Sequence, residues 1–209
     1  SSTVQGEQFY GDMWRTLETE GSWEGEIWDT RKNGDVFPLL VTVKTIHDAK
    51  SRITHYVFSF SDITTTKRDA DAIHKLAFFD PLTHLPNRRA LIDTVSQALN
   101  SSQWHIKSLA LLSIDLDNFK NINDTLGHQL GDKILIETAQ RLRRCVRSDD
   151  AVARIGGDEF VVVLENLDSN IESAKVEVEV VTTKILAVVN ESYRVDEQDI
   201  HSGASIGVA

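Results

Sequence analysis

The stretch that most limits the folds open to this chain is R-I-G-G-D-E-F-V-V-V-L, residues 154–164. Gly156 and Gly157 predict a tight hairpin between two strands, because glycine takes the positive φ angles of a two-residue turn at little steric cost. A turn does not explain Asp158 and Glu159, since adjacent carboxylates repel each other. Two adjacent carboxylates are useful where a protein must hold a cation beside a glycine backbone, which has no side chains in the way.

Composition narrows the classes of protein that this chain can belong to. With 209 residues and 41% hydrophobic content, it can bury one large core or two small ones. A net charge of −10 argues against a grip on a nucleic-acid backbone, which depends on clustered lysines and arginines, so we expect no nucleic-acid partner. The single cysteine, Cys145, excludes an intramolecular disulfide and suits a cytoplasmic protein. Bound phosphates are therefore expected to be held through a metal and backbone amides.

Residues 1–63 are predicted to form a small β-rich domain with one helix. The helix is predicted at residues 8–20 and the strands at residues 23–31, 36–48 and 53–63. The Asn33-Gly34 turn predicts a hairpin between the first two strands. In the third strand Tyr56, Phe58 and Phe60 alternate with other residues, which predicts one aromatic face turned toward a core.

Residues 64–79 predict a connector helix, in which Ala70, Ile73 and Ala77 are spaced for a helical seam. A solvated linker and a two-chain coiled coil both fit this pattern. Pro81 ends the helix, because proline disfavours helical geometry in the residue before it, and a new domain starts at residue 80.

This second domain is predicted to alternate helices and strands. The helices are predicted at residues 87–99, 131–146 and 171–189, and the strands at residues 109–116, 152–155 and 160–164, with two more between 193 and 209. Such an order indicates an α+β domain with a central, mainly antiparallel sheet flanked by helices.

A further pair of acids, Asp115 and Asp117, closes the predicted strand 109–116. If the glycine hairpin lies beside this strand, Asp115, Asp158 and Glu159 converge, and three crowded carboxylates are strongly unfavourable without a cation. Magnesium takes hard oxygen ligands and keeps positions for water and substrate phosphates. Each acid alone fits a solvated loop, but the combination predicts a metal site that clamps a triphosphate.

Between this strand and the next helix lies N-D-T-L-G-H-Q-L-G-D, residues 123–132. Asn123 and Asp132 together offer donors and acceptors that match a purine edge. The alternative is that Asn123 makes an Asx turn and Asp132 caps the following helix. Lys120 and His128 are candidate substrate-binding residues, although a surface lysine and a structural histidine are the more common explanations of such residues.

Four motifs, taken in order over residues 76–209, resemble a GGDEF domain of the diguanylate cyclase family. They are D-P-L-T with L-P-N-R at residues 80–88, I-D-L-D-N-F-K-N-I-N-D at 114–124, G-H with G-D at 127–132, and R-I-G-G-D-E-F at 154–160. The region W-E-G-E-I-W-D-T-R-K-N-G-D, with S-D-I-T at 61–64, resembles the C-terminal half of a PAS sensor domain. We therefore expect a partial PAS-like domain over 1–63, a connector helix over 64–79 and a cyclase-palm-like GGDEF domain over 80–209.

The resemblance implies an enzyme that joins two GTP molecules into cyclic di-GMP and releases two pyrophosphates, with Mg²⁺ or Mn²⁺ as cofactor. The implied site residues are Asp115, Asp158 and the Leu116 carbonyl for the metal, Asn123 and Asp132 for guanine, Gly156 and Gly157 for close approach of the nucleotide, and Asp158 or Glu159 for deprotonation of the 3′-hydroxyl. One domain holds one GTP, so the reaction requires a homodimer, whose geometry the connector helix would set. The alternative is a non-catalytic module that binds GTP or cyclic di-GMP and regulates a partner, such as a phosphodiesterase domain beyond the C-terminus.

The segment R-S-D-D, residues 147–150, resembles the family's R-x-x-D product-inhibition site, which implies that Arg147 and Asp150 bind cyclic di-GMP. An arginine at a helix end followed by acids is also an ordinary structural ending. Two positions depart from the family pattern: Ile155 replaces a more usual aromatic residue and His84 a common glycine. The sequence also stops before the helix on which the family carries a phosphate-gripping lysine and arginine, so we expect this chain to bind GTP weakly by itself.

Overall fold

The computed structural model describes residues 5–102, 108–195 and 198–209. The chain divides into two compact units, Ser1–Ile73 and His74–Ala209. The helices are α1 (Glu7–Glu20), α2 (Thr64–Phe78), α3 (Arg88–Ser102), α4 (Phe119–Leu126), α5 (His128–Cys145) and α6 (Ile171–Val189). The strands are β1 (Ser22–Thr30), β2 (Val36–His47), β3 (Ile53–Asp62), β4 (Ser108–Leu116), β5 (Ala151–Gly156), β6 (Glu159–Leu167), β7 (Tyr193–Val195), β8 (Gln198–Ile200) and β9 (Ala204–Val208). None of the helices in the described ranges is both long enough and apolar enough to cross a membrane.

The first unit is a three-stranded antiparallel sheet in the order β1-β2-β3. Gly34, in the predicted β1–β2 turn, has a φ of +92°, a conformation that glycine adopts without a steric penalty. Helix α1 packs its apolar side on the sheet, where Met13 and Leu17 bury Val41 and Val43. The burial of these four side chains provides the hydrophobic stabilisation of this small core.

The predicted burial of the aromatic face of β3 is wrong. Tyr56, Phe58 and Phe60 remain 39%, 43% and 62% exposed. Phe58 and Phe60 pair with Val43 and Val41 in the antiparallel register, so they do lie on the face that carries α1. Helix α1 packs mainly over β1 and β2 and leaves most of β3 uncovered. The alternation identified the correct face, but the area that a helix covers depends on its tertiary position.

The predicted connector helix is present as α2, and none of its residues is buried in the described chain. Ile73 and Leu76 remain 67% and 72% exposed. The helix ends at Phe78, and Asp80 then closes a turn in which its Oδ1 accepts hydrogen bonds from the Thr83 amide at 2.8 Å and the Thr83 hydroxyl at 2.7 Å. The apolar side chains of α2 are therefore available to a partner.

The second unit is built on a four-stranded antiparallel sheet in the order β5-β6-β4-β9, which confirms the predicted α+β class. Leu112 and Val162 belong to the core that α5 and α6 cover, whereas Val161 and Val163 belong to a second core with Leu91 of α3. Because β4 and β6 are covered on both faces, their sequences are almost continuously apolar rather than alternating.

Two local predictions for the second unit differ from the structure. Helix α4 was not predicted: Phe119, Ile122 and Leu126 do have helical spacing, but eight residues are fewer than the roughly 11 to 18 over which a helical period is recognised. The C-terminal region contains β7, β8 and β9 rather than two strands: β7 and β8 form a small antiparallel pair, and β9 joins β4. Three-residue strands are too short to establish a period in sequence.

A buried arginine joins α5 to the end of α6. The Arg141 side chain, 9% exposed, donates from Nη1 to the carbonyls of Val188 at 2.9 Å and Glu191 at 2.8 Å, and from Nη2 to that of Ser192 at 2.8 Å. Its guanidinium also lies over the Tyr193 ring, 4.0 Å from the centroid. Helix C-termini leave carbonyls without intrahelical partners, and Arg141 supplies those donors.

Candidate active site

Strands β4 and β6 bring the predicted acids together at one end of the sheet. Asp115 lies directly opposite Glu159 in the antiparallel register, and Asp158 immediately precedes β6. Burial raises the pKa of Asp115, and the carboxylates of Asp158, Glu159 and Asp117 raise it further. Acids from distant segments of the chain therefore interact electrostatically.

These acids do not form a complete metal cage by themselves. Within the described residues, no three His, Cys, Asp or Glu side chains converge closely enough to hold a metal ion. The predicted convergence of Asp115, Asp158 and Glu159 is therefore looser than a three-carboxylate cage. The arrangement fits an ion that takes two carboxylates and completes its shell with a carbonyl, water and phosphate oxygens, as magnesium commonly does.

Leu116 can contribute only its main-chain carbonyl, because its hydrocarbon side chain has no donor atom; that side chain lies in the core, with 1% of the residue exposed. The Asp117 amide donates to the Gly203 carbonyl, next to β9, at 2.9 Å. The C=O and N–H of a trans peptide point in opposite directions, and the described chain has no cis peptide. The Leu116 carbonyl thus points away from β9 and toward the β6 side, where Asp158 and Glu159 lie.

The glycine hairpin presents a bare backbone. Gly156 pairs with Glu159, and Gly157 follows in the left-handed region with a φ of +53°. A β-carbon added at either glycine would meet no atom within 4 Å, so neither glycine is required by internal packing. The open space above the hairpin is what close approach of a substrate to this backbone requires.

Arg154 is a structural element of the site that the sequence pattern did not reveal. Its Nε and Nη2 donate to the Gly157 carbonyl at 3.0 and 2.7 Å, and its Nη1 donates to Asp80 Oδ1 at 2.9 Å. Although burial acts to raise the pKa of Asp80, hydrogen bonds from Thr83 and Arg154 hold it below its ordinary value. The available signal was a charged residue within the apolar strand A-V-A-R-I.

Asn123 and Asp132 lie on two helices, α4 and α5, that join at Gly127. A β-carbon on Gly131 would lie 1.9 Å from Asn123 Oδ1, so the Asn123 side chain packs directly against the residue before Asp132. The structural alternatives for these residues are wrong. Asn123 lies within a helix rather than in an Asx turn, and Asp132 lies one turn inside α5, whose N-cap is Gly127.

Lys120 and His128 are exposed near the N-termini of α4 and α5. Helix α4 starts three residues after Leu116, and its N-cap residue, Asn118, makes no side-chain capping hydrogen bond. The first amides of a helix carry a partial positive charge and favour anions. The predicted metal ligands are thus followed directly by an uncapped helix N-terminus, which the sequence interpretation missed because it did not predict α4.

The side chains of the two residues of the predicted product site have different surroundings. Asp150 is 8% exposed, and its two oxygens accept from the main-chain amides of Arg147 at 2.9 Å and Glu165 at 3.2 Å. The Arg147 side chain is 71% exposed, and its Nη2 lies 3.6 Å from Glu177 Oε2. A cavity of about 190 Å³ adjoins both residues and contains apolar side chains of β6 and α6. Asp150 thus shapes the turn, and Arg147 remains accessible.

Comparison with known proteins agrees with these motifs. Residues 77–209 match the family described as diguanylate cyclase, GGDEF domain, and residues 3–65 match the PAS domain family. The bifunctional diguanylate cyclase/cyclic di-GMP phosphodiesterase MucR of Pseudomonas aeruginosa is 38% identical over 146 residues, which cover 70% of this chain and 20% of that protein. This chain therefore spans about a fifth of that relative.

Two solved structures share the fold of the second unit. The GGDEF domain of TpbB from Pseudomonas aeruginosa is 38% identical, with a TM-score of 0.57, and the match covers 61% of this chain and 76% of that one. The coiled coil and GGDEF domain of DgcB from Caulobacter crescentus, in complex with cyclic di-GMP, is 25% identical, with a TM-score of 0.61 and coverage of 70% and 75%. On its sequence motifs, its fold and these matches, this chain belongs to the GGDEF diguanylate cyclase family.

Proposed function

We propose that the second unit is a metal-dependent diguanylate cyclase domain that joins two GTP molecules into cyclic di-GMP and releases two pyrophosphates. The observation that carries the proposal is the juxtaposition of Asp115 and Glu159 across β4 and β6, with Asp158 in the adjoining turn. The raised pKa of Asp115, caused by burial and by these carboxylates, supports a site that gains from a cation.

Asp115, Asp158 and the Leu116 carbonyl are the proposed ligands of Mg²⁺, or of Mn²⁺ in its place. All three are hard oxygen donors, which fits either ion. The ion would neutralise charge on the triphosphate. The amides at the start of α4, which have no side-chain cap, and the Lys120 ammonium would bind further phosphate oxygens.

The remaining substrate contacts are assigned to α4, α5 and the hairpin. Asn123 and Asp132 would bind the guanine edge with an amide and a carboxylate, and the packing of Asn123 against Gly131, the residue before Asp132, supports a shared subsite. His128 lies on the same α5 N-terminus and is a candidate for a neighbouring contact. Gly156 and Gly157 would let the nucleotide lie directly on the hairpin backbone.

Glu159 is the proposed acceptor of the 3′-hydroxyl proton, because Asp158 is assigned to the metal. Glu159 is exposed, which suits a group that must reach a hydroxyl of a second nucleotide. Each 3′-hydroxyl would attack the α-phosphate of the other GTP, and pyrophosphate would leave in line with that attack.

The reaction requires two domains face to face, so we propose a homodimer. The exposed Ile73 and Leu76 of α2 support a two-chain contact along that helix. The product site at Arg147 and Asp150 is also proposed, with the accessible Arg147 guanidinium as the phosphate-binding group. A phosphodiesterase domain in the same protein, as the name of MucR describes, stays a prediction.

The test is to incubate the protein with GTP and Mg²⁺ and to separate cyclic di-GMP by chromatography. We expect product from the wild-type chain when GTP is supplied at a concentration high enough to offset its weak binding, and at least a hundredfold less from Asp158→Ala and Glu159→Ala. Glu172→Ala is the matched control, because it removes an exposed acid from the start of α6 without touching the site. A folded wild-type protein that binds GTP without turnover would instead favour the non-catalytic module, and full activity in Asp158→Ala would reject the metal assignment.

A further inference from the structure

Asp117 is the acid of the I-D-L-D segment that neither the metal site nor the guanine subsite uses. Its carboxylate faces β9: Ser205 Oγ donates to Asp117 Oδ1 at 2.8 Å. The other oxygen packs against Gly203, where an added β-carbon would lie 2.7 Å from Asp117 Oδ2. Ser202, which is 5% exposed, donates from Oγ to the Asp117 carbonyl at 3.2 Å. Both the side chain and the main chain of Asp117 are thus held by residues 202–205.

This attachment lies on the side of β4 opposite to the acids of the hairpin. Strand β4 runs between β6 and β9, so Asp115 has Glu159 on one side and Ser205 on the other. Asp117 cannot turn toward the hairpin without losing its hydrogen bond from Ser205. Asp115 and Asp117 lie on the same face, as their spacing of two residues indicates, because Ser205, the direct strand partner of Asp115, also donates to Asp117. The Asp117 carboxylate is nevertheless held on the β9 side of that face.

We propose that Asp117 is a positioning residue, which sets the orientation of the Leu116 carbonyl and the start of α4 by attaching the end of β4 to Ser205 and Gly203. The Leu116–Asp117 peptide is fixed because its N–H donates to Gly203. Locking the Asp117 carboxylate on the same segment prevents this peptide from rotating. One residue later Asn118 begins α4 with a φ of +57°, so the same attachment aims the helix N-terminus.

The inference rests on the proposed function, because it assigns Asp117 a role toward the metal and the phosphates. Groups that orient a metal ligand without binding the metal typically change metal affinity by about 10- to 100-fold when they are removed. A group with only a structural role would lower stability without changing how strongly a metal promotes nucleotide binding. The ratio of nucleotide affinities with and without metal therefore separates the two roles.

The experiment is calorimetric titration of the whole chain with 3′-deoxy-GTP, which cannot react, in Mn²⁺ and in EDTA. We expect Asp117→Ala to lower the ratio of the two affinities about tenfold, with little change in EDTA. Asp117→Asn should stay within about twofold of wild type, because its Oδ1 still accepts from Ser205. Ser205→Ala should lower the affinity ratio about threefold. The double variant with Asp117→Ala should have a ratio no lower than that of Asp117→Ala alone. Asp115→Asn should abolish the metal effect.

A ratio in Asp117→Ala within twofold of wild type would overturn the positioning role. If Asp117→Asn lowers the affinity ratio as much as Asp115→Asn does, the positioning role would also be overturned, because Asp117 would then be a direct metal ligand. If Asp117→Ala does not fold, as monitored by circular dichroism, Gly203→Ala takes its place: its β-carbon displaces the Asp117 carboxylate, and it should lower the ratio by a similar factor. A wild-type ratio of one would instead reject the proposed function, and this inference with it.

Discussion

Arg154 Nη1 donates a hydrogen bond to Asp80 Oδ1 at 2.9 Å, across 74 positions of sequence. Both side chains are shielded, at 11% and 18% exposure. The same guanidinium holds the Gly157 carbonyl, so one side chain braces the glycine hairpin against the turn that follows α2. The geometry of the candidate active site therefore depends on a residue that has no assigned contact with the substrate and acts through the Gly157 carbonyl.

Replacing Arg154 by alanine should destabilise the protein by about 2–3 kcal/mol, because Asp80 would keep a shielded charge without its partner. The stability of Arg154→Lys should lie between those of wild type and Arg154→Ala, since a single ammonium cannot bridge Asp80 and Gly157 as the planar guanidinium does. Denaturant unfolding measures the stability of each variant, and the rate of cyclic di-GMP formation shows whether the hairpin keeps its active geometry. Equal unfolding midpoints for Arg154→Ala and wild type would contradict the bracing role.

Asp80 also makes an acid-sensitive contribution to stability. Its pKa in the folded chain lies below the ordinary value of 3.8, so its charged form stabilises the fold above that pH. This stabilisation should be lost as the pH falls from about 3.8 through the lower pKa of the folded state. Asp80→Asn should therefore lose stability at pH 7 and show a smaller further loss on acidification. An unchanged acid-unfolding profile in Asp80→Asn would argue against this assignment.

Asp115 should change the stability of the protein with pH in the direction opposite to Asp80. Its pKa is raised by burial and by neighbouring carboxylates, so ionisation disfavours the folded state, and stability falls as the pH rises through that pKa. Without metal, Asp115→Asn should melt higher than wild type at pH 7 by only about 1 °C, because the carboxylate is only slightly buried and solvent screens most of the repulsion. With metal and nucleotide the order should reverse. A metal-free Asp115→Asn protein that melts lower than wild type would oppose this electrostatic account.

Substitutions at the two residues of the proposed product site should have different effects: one on product binding and the other on stability. Arg147→Ala removes an exposed guanidinium and should change stability by less than about 0.5 kcal/mol while weakening cyclic di-GMP binding. Asp150→Ala removes the acceptor of two main-chain amides and should cost about 2 kcal/mol. Thermal melting and calorimetric titration with cyclic di-GMP measure the two effects. Unchanged product affinity in Arg147→Ala would reject the site.

The backbone at His84 has a conformation that favours glycine, the residue that the family resemblance leads us to expect at this position. Its φ is +57°, a left-handed conformation that costs a non-glycine residue about 1 kcal/mol. We expect His84→Gly to stabilise the protein by roughly 0.5 kcal/mol, after allowance for the added freedom of the unfolded chain. His84→Ala is the control and should not gain stability, because alanine keeps the β-carbon. A gain in both variants would assign the effect to the imidazole rather than to the backbone.

The extent to which the site could be predicted differs among its parts. Asp115, Asp158 and Glu159 were recognisable because acids at strand ends and beside paired glycines stand out from apolar surroundings. The roles of Asp117 and Arg154 were not recognisable, because the partners of Asp117 near β9 and of Arg154 at Asp80 are set by strand order and not by spacing. A structural role for the acids of residues 147–150 was an open alternative in the sequence, but the contact of Asp150 with the Glu165 amide could not be recognised, because it depends on how the turn meets β6.

Sequence by itself determined the order of most elements, the apolar strands of the second sheet and the acids at their ends, because hydrophobic period and glycine geometry act over a few residues. Tertiary structure alone decided which neighbouring strand of β4 each acid contacts, how much of the β3 aromatic face α1 covers, and which residues support the hairpin. Those outcomes depend on register and on the placement of whole elements. Both follow from packing summed over the chain, which no local pattern contains.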